Sequence, residues 1–418
     1  MEKVFASIIT IGDELLIGQV IDTNSAFIAQ ELNKIGIIVK RRVAVGDVWD
    51  DIWQALDEES KQVSIIIITG GLGPTADDIT KPLLCKYFGG KMVVHQPTLD
   101  HVTDIFTRIL KRPMLESNTK QAEVPDVCTV LKNERGTAPG MLFKKDGKLF
   151  LSLPGVPHEM KWLMTNHVIP LIPELFPTGF IEHRTLLTAG IGESFLAELI
   201  KDFEEALPAN IKLAYLPNYG MVRLRLTAFG FDNAVMTEEI NALFAALKEK
   251  VKEYLVTDED IPMERVVGKL LKEKGKTMAT AESCTGGYIA HLVTSHAGSS
   301  AYFMGSVVSY DNSIKKRILH VSEKTLQTVG AVSEDTVKQM VRSVLNIMQT
   351  DYAIAVSGIM GPAGATPEKP VGMVWIAVAS KEKTLTKLFH FRFDRKINIE
   401  LTATNALNLL RIFILENS

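Results

Sequence analysis

Four consecutive isoleucines, Ile65 to Ile68, run directly into Thr69-Gly70-Gly71 and constrain this chain more than any other feature. A strand with no polar face cannot lie on a surface. Helices must cover it on both sides, which is the setting of a parallel sheet. The neighbouring patterns agree. Val4–Thr10 is a second short apolar run, Ile37–Val45 reads as a further strand, and helical patterns occupy Ser25–Leu32 and Trp49–Ser60. Short β-rich runs alternating with helices predict right-handed βαβ units.

At 418 residues the chain is too long for one core of ordinary size. Pro170, Pro173 and Pro177 punctuate it, and from His183 to Tyr254 the rhythm changes. That stretch reads as strand Arg184–Ala189, helix Phe195–Glu205, strands Ile211–Leu216 and Val222–Phe229, and a helix over Met236–Tyr254. The acidic, proline-bearing segment from Thr257 to Pro262 reads as a linker. Beyond Met263 the alternation returns. A strand over Thr277–Thr280 precedes a helix opening at Gly286, and Tyr302–Val308 is the next strand. A helix over Ser333–Met348, strands at Tyr352–Val356 and Met373–Ala379, and a helix from Ile397 complete the chain. The expected fold class is α/β: two α/β domains with mainly parallel sheets, residues 1–172 and 259–418, joined by a small α+β module, 173–258.

A charged fraction of 23% with a formal net charge of −3 argues against a nucleic-acid coat or a polybasic membrane binder. No window approaches the ~18 apolar residues of a membrane span. Cys85, Cys128 and Cys284 are odd in number and share no metal-like spacing. With no signal pattern at Met1-Glu2-Lys3-Val4, they read as reduced thiols of a cytoplasmic protein.

Ser283, in Ala281-Glu282-Ser283-Cys284-Thr285-Gly286-Gly287, falls on the turn after a predicted strand, the edge where open α/β sheets bind ligands. A serine hydroxyl is a weak nucleophile until a neighbouring base takes its proton, and Tyr310 and Lys315 are the candidates. Thr285, Gly286 and Gly287 would contact substrate, because glycine lets backbone approach a ligand and helix-start amides favour phosphate or a developing oxyanion. The later loop Ser357-Gly358-Ile359-Met360-Gly361-Pro362-Ala363-Gly364 offers Ser357, Gly358, Gly361 and Gly364, without the lysine and spacing of a P-loop. The combination points to acyl transfer or amide hydrolysis by a Ser-Lys type site. Plainer roles fit the same residues. Ser283 reads equally as a helix cap, Lys315 as a solvated lysine beside Lys316 and Arg317, and Tyr310 as a half-buried core aromatic. Cys284 is either a rival nucleophile or a small buried residue.

A second constellation opens the chain. Gly12-Asp13-Glu14 follows the first strand, with Asp22 and Asn24 close behind, and Gly70-Gly71-Leu72-Gly73-Pro74-Thr75-Ala76-Asp77-Asp78 follows the isoleucine strand. Gly70, Gly71, Gly73, Thr75 and Asn24 are candidate phosphate and substrate contacts. Glu14, Asp22, Asp77 and Asp78 are hard oxygen ligands suited to a divalent metal bridging phosphates. Alternatively, Asp77 and Asp78 cap the next helix.

The segments around Ser283, Tyr310–Lys315, Gly330-Ala331-Val332-Ser333-Glu334, the Ser357 loop and Lys369-Pro370-Val371-Gly372 resemble the carboxy-terminal domain of the competence/damage-inducible CinA family. That family includes nicotinamide mononucleotide (NMN) deamidases. The resemblance implies hydrolysis of NMN to nicotinate mononucleotide and ammonia with no cofactor. Ser283 would be the nucleophile, Tyr310 and Lys315 would assist proton transfer, and Ser357 would lie near the ligand. Ser306, Asp311 and Met360 depart from the family pattern, and Met360 would narrow the pocket.

The first region, through Asn118, Asn133, Gly136–Gly140 and Leu153–Met160, is similar to the molybdopterin-binding-like domain that opens full-length CinA proteins. There the resemblance implies hydrolysis of ADP-ribose to AMP and ribose 5-phosphate with a divalent metal (Mg, Mn or Co). Gly190–Ser194 and Arg223-Leu224-Arg225 of the middle module also fit the full-length architecture. The expectation is a cytoplasmic, homodimeric, bifunctional hydrolase of pyridine-nucleotide salvage, with no nucleic-acid or membrane partner. Two rivals stand beside it: a deamidase with a non-catalytic nucleotide- or pterin-binding first domain, and an interaction factor for competence or recombination.

Overall fold

A computed structural model describes residues 3–75, 77–218 and 220–417. Tertiary contacts divide the chain into two compact units. One holds Met1–His183 with Ala206–Leu213 and Leu226–Ala245; the other holds Arg184–Glu205, Ala214–Arg225 and Ala246–Ser418.

The sheet of the first unit runs, edge to edge, Ile38–Val45, Phe5–Ile11, Ile65–Thr69, Lys148–Leu153, Gly140–Lys145 and Thr129–Leu131. The first four strands are parallel and the last two antiparallel. Ile65 to Ile68 are all 0% exposed, as their composition requires. Alternation sends Ile65 and Ile67 into one core with Ile28, Leu32 and Met160, and Ile66 and Ile68 into another with Ile52, Leu56 and Phe143. The flanking helices extend slightly beyond expectation on one side, Thr23–Lys34, and match it on the other, Trp49–Ser60.

In the second unit the order is Phe303–Val308, Met278–Glu282, Tyr352–Gly358, Met373–Ser380 and Thr384–His390. The first three strands are parallel and the last two antiparallel. Helix Glu334–Met348 lays Val337, Val341 and Val344 against Ala279, Ala281 and Ala353 on one face. The closing helix Arg395–Glu416 covers the other face through Leu407 and Leu410.

The middle stretch differs from expectation in two places. The helix expected over Phe195–Glu205 is broken into Glu193–Leu199 and Lys201–Glu205. The helix expected to reach Tyr254 ends at Lys250, and Leu255–Thr257 becomes a strand paired with Leu187 and Thr188. Edge pairing rather than local propensity decides that segment.

Both parallel sheets share one topological device. Phe5–Ile11 has its next strand in sequence on one side and the following one on the other, and Met278–Glu282 repeats the arrangement. Such reversals open a crevice at the carboxyl end of the strand. Gly12-Asp13-Glu14 occupies one crevice and Ser283 the other. Among the described residues no helix is long and apolar enough to cross a membrane.

Candidate active sites

Strand Met278–Glu282 runs two residues past its expected end, so Ser283 is the first residue of the turn, tied by its N–H to Val356 O at 3.1 Å. The next helix starts at Tyr288 rather than Gly286. Gly286 and Gly287 sit at φ 61° and 96°, a left-handed geometry that a helical residue cannot hold.

Ser283, Tyr310, Lys315, Ser357 and Gly358 line one cavity of about 200 Å³. Lys315, on helix Asn312–Arg317, is only 1% exposed, so it is not the solvated lysine of the plainer reading. Its Nζ donates to Ser309 O at 2.6 Å and Tyr310 O at 3.2 Å. Burial pushes its pKa down, against smaller opposing effects of Cys284 and Asp311. Asp311 caps this helix by accepting from Ser313 N at 2.7 Å.

Tyr310 is 61% exposed, not a core aromatic. Its hydroxyl accepts from Arg395 Nη2 at 2.7 Å, while Arg395 Nη1 donates to Gly361 O at 2.9 Å. Arg395 and Asn312 also line the cavity, and the sequence reading identified neither. The one available signal for Arg395 was Asp394, which caps the last helix through Ile397 N at 3.0 Å and so places Arg395 at its first position. Ser357 is buried, with its hydroxyl donating to Ala331 O at 2.7 Å. Gly361 contributes only its carbonyl to Arg395, and Gly364 is exposed outside the cavity lining. Cys284 also lines this cavity but packs into the apolar core, where burial pushes its thiol up to about 12, which disfavours the thiolate a rival nucleophile needs.

The anion site expected at the helix start is already filled. Glu282, 0% exposed, accepts from Gly287 N at 3.1 Å, Ile289 N at 3.0 Å, Ala290 N at 2.8 Å and the Thr285 hydroxyl at 2.7 Å. Thr285, Gly286 and Gly287 therefore serve the turn. They border a separate concavity of about 390 Å³, with His291 and Lys396.

At the first crevice, Glu14, Asp22 and Asn24 line a cavity of about 130 Å³ with Thr69 and Gly155. Asn24 Nδ2 donates to Gly155 O at 2.7 Å, and its Oδ1 is buried without a partner. Asp22 is a helix cap, accepting from Ser25 N at 2.9 Å and the Ser25 hydroxyl at 2.5 Å. Asp78 accepts from Gly73 N at 2.7 Å, Thr75 N at 2.9 Å and the Thr75 hydroxyl. Its carboxylate thus takes the amides expected to meet a phosphate. Gly70 is required by packing, since a Cβ there would lie 2.2 Å from Ile11 O; at Gly71 it would lie 2.1 Å from Thr80 Oγ1. Neither acid caps the following helix, whose N-cap is Ile79, and Asp77 is exposed.

The predicted metal set therefore needs correction. Asp22 and Asp78 spend both carboxylate oxygens on local donors, and among the described residues no three His, Cys, Asp or Glu side chains are placed to hold a metal. Glu14 instead has other acidic neighbours, which the sequence reading passed over. Asp13 N donates to Asp47 Oδ2 and Asp47 N to Asp13 Oδ1, both at 3.2 Å. The Asp47 carboxyl is raised by burial first, with the charges of Asp13, Glu14 and Asp77 adding to it against the Asp13 hydrogen bond. The set Glu14, Asp22, Asp77 and Asp78, expected to share one ion, is not arranged to do so among the described residues.

Three family profiles match the chain in sequence. These are "Probable molybdopterin binding domain" over residues 7–174, "Damage-inducible protein CinA KH domain" over 183–257 and "CinA C-terminal domain" over 260–414. A CinA-like protein of Cytophaga hutchinsonii is 47% identical over 408 residues, covering 98% of this chain and 97% of its own. The chain belongs to the CinA family. A second CinA-like protein, from Flavobacterium psychrophilum, is 45% identical over 413 residues and 99% of both chains. The crystal structure of the competence/damage inducible protein CihA from Agrobacterium tumefaciens is 37% identical over 36% of this chain and 93% of its own, with a TM-score of 0.35. The departures of this CinA-family chain have definite places. The Ser306 hydroxyl accepts from Thr280 Oγ1 at 2.8 Å and lies 3.5 Å from Glu282 Oε1, and Met360 is a buried wall of the serine cavity.

Proposed function

We propose that the chain is a bifunctional hydrolase of pyridine-nucleotide salvage whose carboxy-terminal domain deamidates NMN. The observation that carries this reading is a buried lysine lining the same cavity as the serine at the sheet's reversal point. Low exposure favours the neutral amine that a base requires. A neutral amine has two N–H groups and one lone pair. Ser309 O and Tyr310 O account for two donated bonds, and the remaining lone pair would take the Ser283 proton when the two side chains meet in the cavity they share, where they are not yet hydrogen-bonded. Ser283 Oγ then attacks the carboxamide carbon as its proton passes to Lys315. The resulting ammonium returns that proton to the nitrogen as the C–N bond breaks, releasing ammonia and leaving an acyl-serine. Water, deprotonated by the same amine, frees nicotinate mononucleotide. Arg395, held between Tyr310 and Gly361, supplies a cation for the substrate phosphate at the cavity edge.

The test is ammonia release from NMN by the purified protein and by Ser283→Ala. No turnover by the unmutated protein refutes the reading.

The amino-terminal domain is proposed to hydrolyse ADP-ribose to AMP and ribose 5-phosphate; because, among the described residues, its side chains alone form no ligand set, a divalent metal (Mg, Mn or Co) would be held largely by the substrate phosphates, with Glu14 the carboxylate nearest to hand in the cavity. Support comes from the cavity at the first reversal point, where Glu14 faces the same space as Asn24 and its unpartnered oxygen. ADP-ribose assayed with each metal tests this. Binding without turnover would favour a non-catalytic nucleotide-binding domain.

A further inference from the structure

We infer that Glu282, the residue before the nucleophile, is a positioning residue that shapes the oxyanion site of the serine turn. The inference rests on the amide-hydrolase reading of Ser283 and deepens it.

Glu282 is a carboxylate with no exposure to water and no cation among its hydrogen-bond partners. Isolated buried carboxylates are costly, and serine, threonine or aspartate at the cap would satisfy helix-start amides more cheaply. Here one side chain reaches forward to Thr285, Gly287, Ile289 and Ala290, closing the whole segment that follows Ser283. The Thr280 and Ser306 hydroxyls complete its surroundings at 3.2 Å and 3.5 Å. The amides and the Thr285 hydroxyl all donate, matching an acceptor-only carboxylate, while the one Thr280 hydrogen goes to Ser306 at 2.8 Å and the Ser306 hydroxyl faces Glu282.

Two consequences bear on the chemistry. First, most of the N–H groups around the turn are spent. Ser283 N goes to Val356 O, Gly286 N to Ser283 O, Tyr288 N to Thr285 O, and Gly287, Ile289 and Ala290 to Glu282. Among the described residues this leaves Cys284 N–H and Thr285 N–H with no hydrogen bond to another residue, and of the two only Cys284 lines the serine cavity. An amide directly after a nucleophile is the usual donor to the oxygen that becomes negative during attack. Glu282 keeps an anion out of the helix start and leaves the N–H of Cys284, which lines the serine cavity, to receive the carboxamide oxygen. Second, Glu282 O accepts from Ser309 N at 2.7 Å, and Ser309 O accepts from Lys315 Nζ at 2.6 Å. One residue therefore joins the serine turn to the lysine.

Glu282→Gln keeps the side-chain shape but turns one acceptor into a donor facing donors. It should lower kcat for NMN by about 10²-fold, the scale of a lost oxyanion donor, with KM within about 3-fold. Thr285→Val, which removes a single bond, should show a smaller loss of the same kind. Should Glu282→Gln not fold, Glu282→Asp and Thr285→Val carry the test alone. Labelling of Ser283 by a fluorophosphonate, followed by intact mass, should slow in parallel. A lowered Tm with unmutated kcat and labelling rate would reduce Glu282 to a fold element and overturn the inference. Labelling does not require NMN. If the unmutated protein labels at Ser283 yet releases no ammonia, the substrate assignment fails while the labelling rates still decide the role of Glu282.

Discussion

Methionine at position 315 would keep the length and apolar stem of the lysine and remove only its amine. Two effects on stability nearly cancel. Ser309 O and Tyr310 O lose donated bonds at 2.6 Å and 3.2 Å, together about 1–3 kcal/mol. Against this, an amine that is 1% exposed no longer has to be desolvated, a term of similar size. The variant should therefore melt within a few degrees of the unmutated protein. Catalysis should not be spared. Without a base, the serine proton has no acceptor, and kcat should fall by about 10²- to 10⁴-fold, or about 3–5 kcal/mol of barrier. The pH profile separates this from an indirect effect. Burial lowers the Lys315 pKa, so the reactive neutral amine grows as pH rises through a value below the ordinary lysine range. In the unmutated protein kcat/KM should climb across that window, and in Lys315→Met the residual rate should be flat. Ammonia release from NMN, read by a coupled assay between pH 6 and pH 10, checks both. A variant within about 3-fold of normal, or one retaining the rise with pH, would refute the assignment of Lys315 as base.

Ser283→Ala should abolish ammonia release while Cys284→Ala retains most of it, because a thiol pushed to about 12 is ionised to only about one part in 10⁵ at pH 7. EDTA should stop ADP-ribose hydrolysis and leave NMN deamidation unchanged; loss of both activities would place a metal in the serine site. In the first unit, Arg41→Ala should cost about 1–2 kcal/mol in denaturant unfolding, because it takes from the buried Glu59 a half-exposed cation at 2.9 Å and leaves its carboxylate, among the described residues, the Ser7 hydroxyl at 2.6 Å. Glu59→Gln, which removes the buried charge itself, should cost less, and the opposite order would show that the pair is not a buried charge problem.

Local chemistry carried much of the fold. A run of four isoleucines can only be a strand covered on both faces, and Gly286-Gly287 can only interrupt a helix. The first depends on neighbours within a few positions, which a sequence displays directly; the second was missed, since the sequence led to a helix opening at Gly286 and the left-handed glycines delay it to Tyr288. The serine turn, the lysine helix and the glycine-rich loop were likewise visible as separate segments, and their meeting in one cavity follows from their places on adjacent parallel strands and the loops that follow them.

What the sequence by itself determined, then, was which residues could do chemistry; the tertiary structure decided which of them were free to do it. Asp78 and Asp22 looked like metal ligands, yet amides and hydroxyls three to five residues away claim their oxygens. The helix-start amides beside Ser283 looked open to an anion, yet the preceding glutamate fills them. Arg395 reaches Tyr310 across 85 residues of chain and Asp47 meets Asp13 across 34, so no local pattern announced either pair. Lysine carries the same letter whether solvated or buried. Only the packing around Lys315 removes water from its amine, and that removal makes a base of it.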